Sequence, residues 1–194
     1  MAAIDGAIDS LSERGIIDPN RVGLIGFSRT VYHVAYTLTH SRHHFAAATL
    51  ADGLDGSFFQ AVAFPATAGA DAAAVNGGPP YGASLALWME HSPLFKLASV
   101  AAPVRLESYG MDSALGLWGW YSLLTQRGMP VDMILLPHAP HELVKPWERL
   151  ASQQGDVDWF CFWLKGEKPS DGESRWESLL SSTTSGSHTP VPNG

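Results

Sequence analysis

Residues 21–30, Arg-Val-Gly-Leu-Ile-Gly-Phe-Ser-Arg-Thr, constrain the fold more than any other stretch of the chain. A short apolar run reads as a strand and breaks at Gly26-Phe27-Ser28. It gives way at once to Val31, Val34, Ala35 and Leu38, which recur at helical spacing. A strand passing directly into a helix belongs to parallel sheets whose strands are joined by covering helices. Asp18-Pro19-Asn20 supplies the turn signal ahead of the strand. The junction also carries chemistry. A Ser on such a turn holds its hydroxyl clear of the sheet while the first N–H groups of the helix point into the same space, the layout of a nucleophile elbow. Gly26 keeps the turn small, and Thr30 stands where the usual pattern has a second Gly.

The rest of the chain extends the alternation. Ile4, Ile8 and Leu11 predict a helix over residues 3–14, closed by Gly15. Strands are predicted at 21–27, 45–50, 104–109 and 131–136, and helices at 29–39, 85–90, 115–126 and 147–165. Residues 52–81 are rich in Gly, Ala and Pro without a period, and read as an excursion over the functional face. The fold class is α/β, a parallel sheet flanked by helices. At 194 residues and 45% apolar content the chain suits one domain with a sizeable core. That domain is placed at residues 1–166. Residues 167–194 are Ser/Thr/Gly/Pro-rich and read as a flexible C-terminal tail.

Two further segments bear on the Ser. Residues 106–112, Leu-Glu-Ser-Tyr-Gly-Met-Asp, are an apolar stretch ending in an acid, and residues 136–143 follow a strand with a loop holding His138 and His141. The order Ser, acid, His is that of α/β-hydrolases. Ser28 is the candidate nucleophile, which needs a base because a free hydroxyl attacks poorly at neutral pH; its bland alternative is a helix N-cap. Asp112, just past a strand end, is the expected acid, with Glu107 the runner-up and Asp52, at the end of another strand, a third candidate. The bland role of Asp112 is to cap the following helix. The backbone N–H of Arg29 is the expected oxyanion donor. Phe58, Phe59, Tyr81 and Trp88 are candidates to line a substrate pocket. His33, His40, His43 and His44 lack acids or Cys at ligand spacing, so no metal or cofactor is expected.

The residues resemble a family. The run 18–28 (Asp-Pro-Asn-Arg-Val-Gly-Leu-Ile-Gly-Phe-Ser), Ser92-Pro93 before Ala102-Pro103-Val104-Arg105-Leu106, Gly128-Met129-Pro130-Val131, and His141 followed by Lys145-Pro146-Trp147-Glu148-Arg149 and Asp158-Trp159-Phe160 are similar to the catalytic domain of prolyl oligopeptidases, a serine peptidase family. The resemblance covers roughly residues 3–166. It implies His141, ahead of His138, as the base, and a peptide as substrate. It also implies that the N-terminal strands of the sheet, a Tyr oxyanion donor on one of them and any upstream domain of the same polypeptide lie outside this chain. The implied activity is peptide-bond hydrolysis through a Ser-Asp-His triad and an acyl-enzyme; an esterase on the same triad and a non-catalytic binding domain are the alternatives.

Charge narrows the partners. A net charge of −7 without a Lys/Arg run disfavours nucleic acid and anionic membranes, and no apolar run is long enough to span a bilayer. The start shows no signal-peptide pattern. Cys161, flanked by Phe160 and Phe162, reads as a packed thiol.

Overall fold

The computed structural model describes residues 1–168 and 176–180. Four strands, β1 (Gly23–Phe27), β2 (Ala47–Ala51), β3 (Val104–Tyr109) and β4 (Val131–Leu136), form one sheet in the spatial order β1-β2-β3-β4, every neighbouring pair parallel. The helices are α1 (Ala2–Glu13), α2 (Thr30–His40), α3 (Phe58–Ala63), α4 (Ala70–Val75), α5 (Leu85–His91), α6 (Met111–Gln126), α7 (Pro146–Arg149) and α8 (Gly155–Lys165). The central strands show why the sheet is parallel. All five residues of β2, Ala-Ala-Thr-Leu-Ala, are buried, as a strand covered by helices on both faces requires.

One face of the sheet packs on α1, α2 and α6. There Val31, Val34, Ala35 and Leu38 from α2 meet Leu50, Val104 and Leu106 from the sheet and Leu117, Trp120 and Leu124 from α6. The opposite face packs on α8, whose Trp159 is fully buried and donates its indole N–H to the Ala48 carbonyl at 3.2 Å. All strands run the same way, so their C-terminal ends gather along one edge, where the connecting loops assemble a site.

Three segments depart from the sequence reading. Residues 52–81 contain α3 and α4, joined by a π-type turn at Pro65–Gly69, and Ser57 caps α3 by accepting from the Gln60 N–H. Each of the two helices is six residues long, too short to print a period on the sequence. The helix expected from residue 115 begins at Met111, because Gly110 at φ 92° turns the chain straight out of β3. The closing helix is interrupted at Leu150–Gln154 by a π-type turn whose Ala151 carbonyl accepts from Arg105 Nη2 at 2.9 Å.

Arg105 organises the α8 face. Only 1% exposed, it pairs with Glu107 (3.0 Å), Asp132 (3.1 Å) and Asp156 (3.4 Å). One guanidinium cannot neutralise three carboxylates away from water. Burial first, and the Glu107 charge second, push the Asp156 carboxyl up to about 7, against the Thr49 hydroxyl and Arg105, which pull it down. Tyr109 and Ser152 donate hydroxyls to Glu107 at 2.9 and 2.7 Å. Residues 176–180 fall within the expected tail, yet Trp176 is buried against Trp159 and Phe162 and donates its indole N–H to Asp132 at 3.1 Å. The remainder of the expected tail, residues 169–175 and 181–194, lies outside the described residues.

Candidate active site

Ser28 follows the last residue of β1. Its N–H continues the sheet ladder to the Ala51 carbonyl (3.0 Å), while its own carbonyl accepts from Val31 N–H (3.1 Å) to start α2. Between these two bonds the backbone must reverse within one residue, and Ser28 takes φ 57°. A left-handed φ on a residue with a Cβ is strained and persists only where its surroundings enforce it. Thr30 is one enforcer: its Oγ1 accepts from the Phe27 N–H (2.8 Å) and donates to the Phe27 carbonyl (2.6 Å), clipping the turn across its base. A Gly there would lack this clip. Gly53 is the other. A Cβ added to it would lie 2.1 Å from the Ser28 carbonyl oxygen, so only Gly lets the β2 loop press against the elbow.

His141 comes from the loop after β4, and its ring stacks on Phe27 with centroids 4.7 Å apart and planes at 21°. Its Nε2 lies 2.9 Å from Ser28 Oγ, and its Nδ1 lies 2.5 Å from Asp52 Oδ2. An ionised carboxylate only accepts, so Nδ1 carries the hydrogen and Nε2 is left to accept the Ser28 hydroxyl.

The carboxylate on His141 is therefore that of Asp52, and the expected contact from Asp112 is not formed. Asp52 follows the last residue of β2, the strand beside β1; its N–H donates to the Glu107 carbonyl (2.7 Å), and its Oδ1 accepts from the Tyr109 N–H at 3.2 Å. With φ 42°, a conformation Asp tolerates better than most residues, the side chain turns toward the loop after β4. Asp112 sits exposed in the first turn of α6, where its charge suits the helix dipole, and borders the same cleft without reaching His141. Glu107 is fully buried on the α8 side, held by Arg105, Tyr109 and Ser152. His138 is exposed on the same loop as His141.

The cleft has a volume near 420 Å³ and is walled by Arg29, Gly53, Leu54, Phe64, Asp112 and Gly116 around Ser28 and His141. Gln60 fixes one wall by donating to the Gly53 carbonyl (3.0 Å) and accepting from the Asp55 N–H (2.8 Å). Asp55 in turn accepts the Trp120 indole N–H at 2.6 Å, tying the wall to α6; burial pushes its carboxyl above the ordinary range. Arg29 directs its side chain outward to Asp71 (3.3 Å), while its N–H stands at the N-terminus of α2, beside Ser28.

None of the four aromatics expected to line the pocket borders this cleft. Trp88 is fully buried with its indole N–H on the Gly78 carbonyl, Phe58 packs edge-on to it, Phe59 lies near Gly119, and Tyr81 is exposed away from the site. Phe64, five residues after Phe59, is the aromatic at the cleft. It follows the six-residue α3, which gives the sequence no face on which to place it. No group of His, Cys, Asp and Glu suited to a metal occurs among the described residues, and none of their helices is long and apolar enough to cross a membrane.

Comparison with known proteins gives a consistent picture. No protein-family profile matches the chain. It is 31% identical over 202 residues to the lasso peptide isopeptidase AtxE2 of Asticcacaulis excentricus, an alignment that takes in 97% of this chain and 28% of the relative. The unliganded structure of AtxE2 superposes with a TM-score of 0.75 at 27% identity, covering 93% of this chain and 28% of that one. A serine-to-alanine variant of AtxE2 with Astexin3-dC4 bound gives 0.73, again at 27% identity and with the same coverage. An acylaminoacyl peptidase of Pyrococcus horikoshii shares the fold, with a TM-score of 0.68 at 20% identity over 92% of this chain and 29% of its own. The chain thus spans little more than a quarter of the length of these relatives.

Proposed function

We propose, from the premise that this chain belongs to the catalytic domains of the prolyl oligopeptidase family of serine peptidases, that it hydrolyses peptide amide bonds with Ser28 as nucleophile, His141 as base and Asp52 as the orienting acid. The observation that carries the reading is the unbroken relay from Ser28 Oγ through His141 to Asp52, at 2.9 and 2.5 Å. The role assigned to Asp112 from the sequence passes to Asp52.

In the first step Ser28 Oγ attacks the amide carbon as its proton moves to His141 Nε2, and Asp52 stabilises the imidazolium while remaining ionised. The Arg29 N–H at the start of α2 faces the charge that develops on the carbonyl oxygen. His141 then protonates the leaving amine, and the acyl group stays on Ser28. Water enters, gives its proton to His141 Nε2 and attacks the ester; the carboxylic acid leaves as the proton returns to Ser28 Oγ. Phe27 stacks on the imidazole and limits its tilt during both transfers.

AtxE2, with Astexin3-dC4 bound in one structure, supports a peptide as the substrate class. Nucleic acid is not a partner in this reading. Ile25 and Phe27 are 57% and 41% exposed on β1, an end strand of the sheet, which supports a further segment of the same polypeptide covering that edge in the working enzyme. The test is labelling with a fluorophosphonate probe beside turnover of peptide amides. Labelling that disappears in Ser28→Ala and depends on His141 is the expected result. Full-length folded protein that neither labels nor cleaves would overturn the assignment.

A further inference from the structure

Four of the side chains that border the cleft are charged or can become so: Arg29, Asp52, Asp112 and His141. Three of them are matched within the chain. Asp52 and His141 face each other at 2.5 Å, and Arg29 turns outward to Asp71 at 3.3 Å. Asp112 is the exception, an exposed carboxylate with no ion pair or hydrogen bond among the described residues. A charge on the wall of a cleft acts more strongly on what enters than one on an open surface, because the low-dielectric walls focus its field.

The residues around Asp112 add to the site. Ser113, the next residue of α6, also borders the cleft, and its hydroxyl oxygen is out of contact with solvent yet has no hydrogen-bond partner. A hydroxyl in that state favours a ligand that completes its bond. Gly116 lies one turn further along the same helix face. A Cβ there would stand 3.1 Å from Gln60 Nε2 and 3.6 Å from Phe64 Cε2, so the missing side chain keeps the gap between α6 and Phe64 open. Leu54 and Phe64 supply apolar lining. The cleft thus offers apolar wall for a stem and two acceptors, one of them charged, for a tip. An ammonium or guanidinium on an aliphatic chain answers both, since it brings donors and no acceptor.

We propose, resting on the peptidase reading of Ser28 and His141, that the cleft selects peptides carrying a lysine or arginine beside the scissile bond. The cation meets Asp112 and the Ser113 hydroxyl, and its aliphatic stem lies against Leu54 and Phe64. Asp112 is then a specificity-determining residue that acts in binding. The net charge of −7 draws cationic peptides toward the protein. A glutamate in the same place meets the carboxylates of Asp112 and Asp52 and is disfavoured.

The test is calorimetric titration of the full-length Ser28→Ala protein with a blocked pentapeptide varied only at its central residue: lysine, arginine, norleucine or glutamate. Norleucine keeps the stem of lysine and lacks its charge. Lysine and arginine are expected to bind about tenfold more tightly than norleucine, with glutamate weakest, and the advantage of lysine should shrink as salt is raised. Asp112→Asn, a change at an exposed position, should bring lysine and norleucine within about twofold of each other, and Asp112→Lys should turn the preference toward glutamate. Norleucine binding as tightly as lysine overturns the proposal, as does a lysine preference that survives Asp112→Asn. So does a protein that binds none of these peptides below about 5 mM. An unblocked norleucine peptide presents the other source of an ammonium; if its free N-terminus gains as much as the lysine side chain, the side-chain assignment fails. Binding to a protein without its nucleophile is read apart from Ser28 labelling, so failure of the selectivity and failure of the peptidase reading are told apart.

Discussion

Asp52 shows how the residue ranked last of three candidate acids in the sequence can be the one that meets His141. Ser28 and His141 announce themselves locally, one by the strand-to-helix junction around it and the other by a His loop after a strand. Which carboxylate meets His141 depends on which strand lies beside which, and β2 being the immediate neighbour of β1 is a tertiary fact. Asp52-Gly53 at the end of a small-residue strand was the available signal. Asp52→Asn is expected to lower turnover by about 10⁴, because the amide can stabilise the wrong His141 tautomer and cannot support the imidazolium. Asp112→Asn should leave turnover within about threefold of the parent; steady-state kinetics on one peptide substrate compares the two, and the reverse ranking would return the role to Asp112. Gly53→Ala should destabilise the fold by about 1–3 kcal/mol and abolish probe labelling, since its methyl would displace the Ser28 carbonyl that starts α2. Urea titration and labelling of the same samples check both halves.

At the scale of elements, the strands are legible as short apolar runs between turn signals, and the helices longer than ten residues because their period is sampled over enough positions. The helix after β3 begins four residues before its expected start, since Met-Asp-Ser-Ala reads equally well as a loop until Gly110 supplies the turn. The interruption at Leu150–Gln154 was invisible, because its cause is Arg105, distant in sequence, which draws the Ala151 carbonyl out of helical register. That same cluster makes stability depend on pH. Asp156 holds its proton up to about 7 in the folded chain, against about 4 when unfolded, so the folded state binds that proton more tightly. The associated stabilisation is complete below the unfolded value and is lost as pH rises through 7. Asp156→Asn, which keeps an acceptor for Thr49, should lose less stability between pH 5 and pH 8 than the parent, a difference on the order of a few kcal/mol at most. Urea midpoints at the two values measure it; equal losses would show that another group carries the dependence.

For the whole molecule, the α/β class and the doubly covered parallel sheet followed from alternation alone, while the boundary of the folded unit did not. Composition marked everything after Gly166 as tail, yet Trp176 belongs to the core on the α8 side. One large aromatic in a polar stretch contributes little to an average and much to a cavity. Trp176→Ala should cost about 3 kcal/mol and lower the melting temperature by several degrees, with the Asp132 carboxylate losing an indole donor at the same time. Calorimetry on the 194-residue chain reads this directly, and an unchanged melting temperature would exclude Trp176 from the folded unit. The placement of Asp52 has a wider meaning. With the relay closed between the first two strands and the loop after the fourth, the turn at residues 110–113 bears no proton-transfer duty toward His141 although it borders the cleft. Under the proposed peptidase function, changes to that turn would alter which peptides enter while leaving the Ser28–His141–Asp52 contacts in place. In that function, selectivity and chemistry would lie on separate segments of the chain.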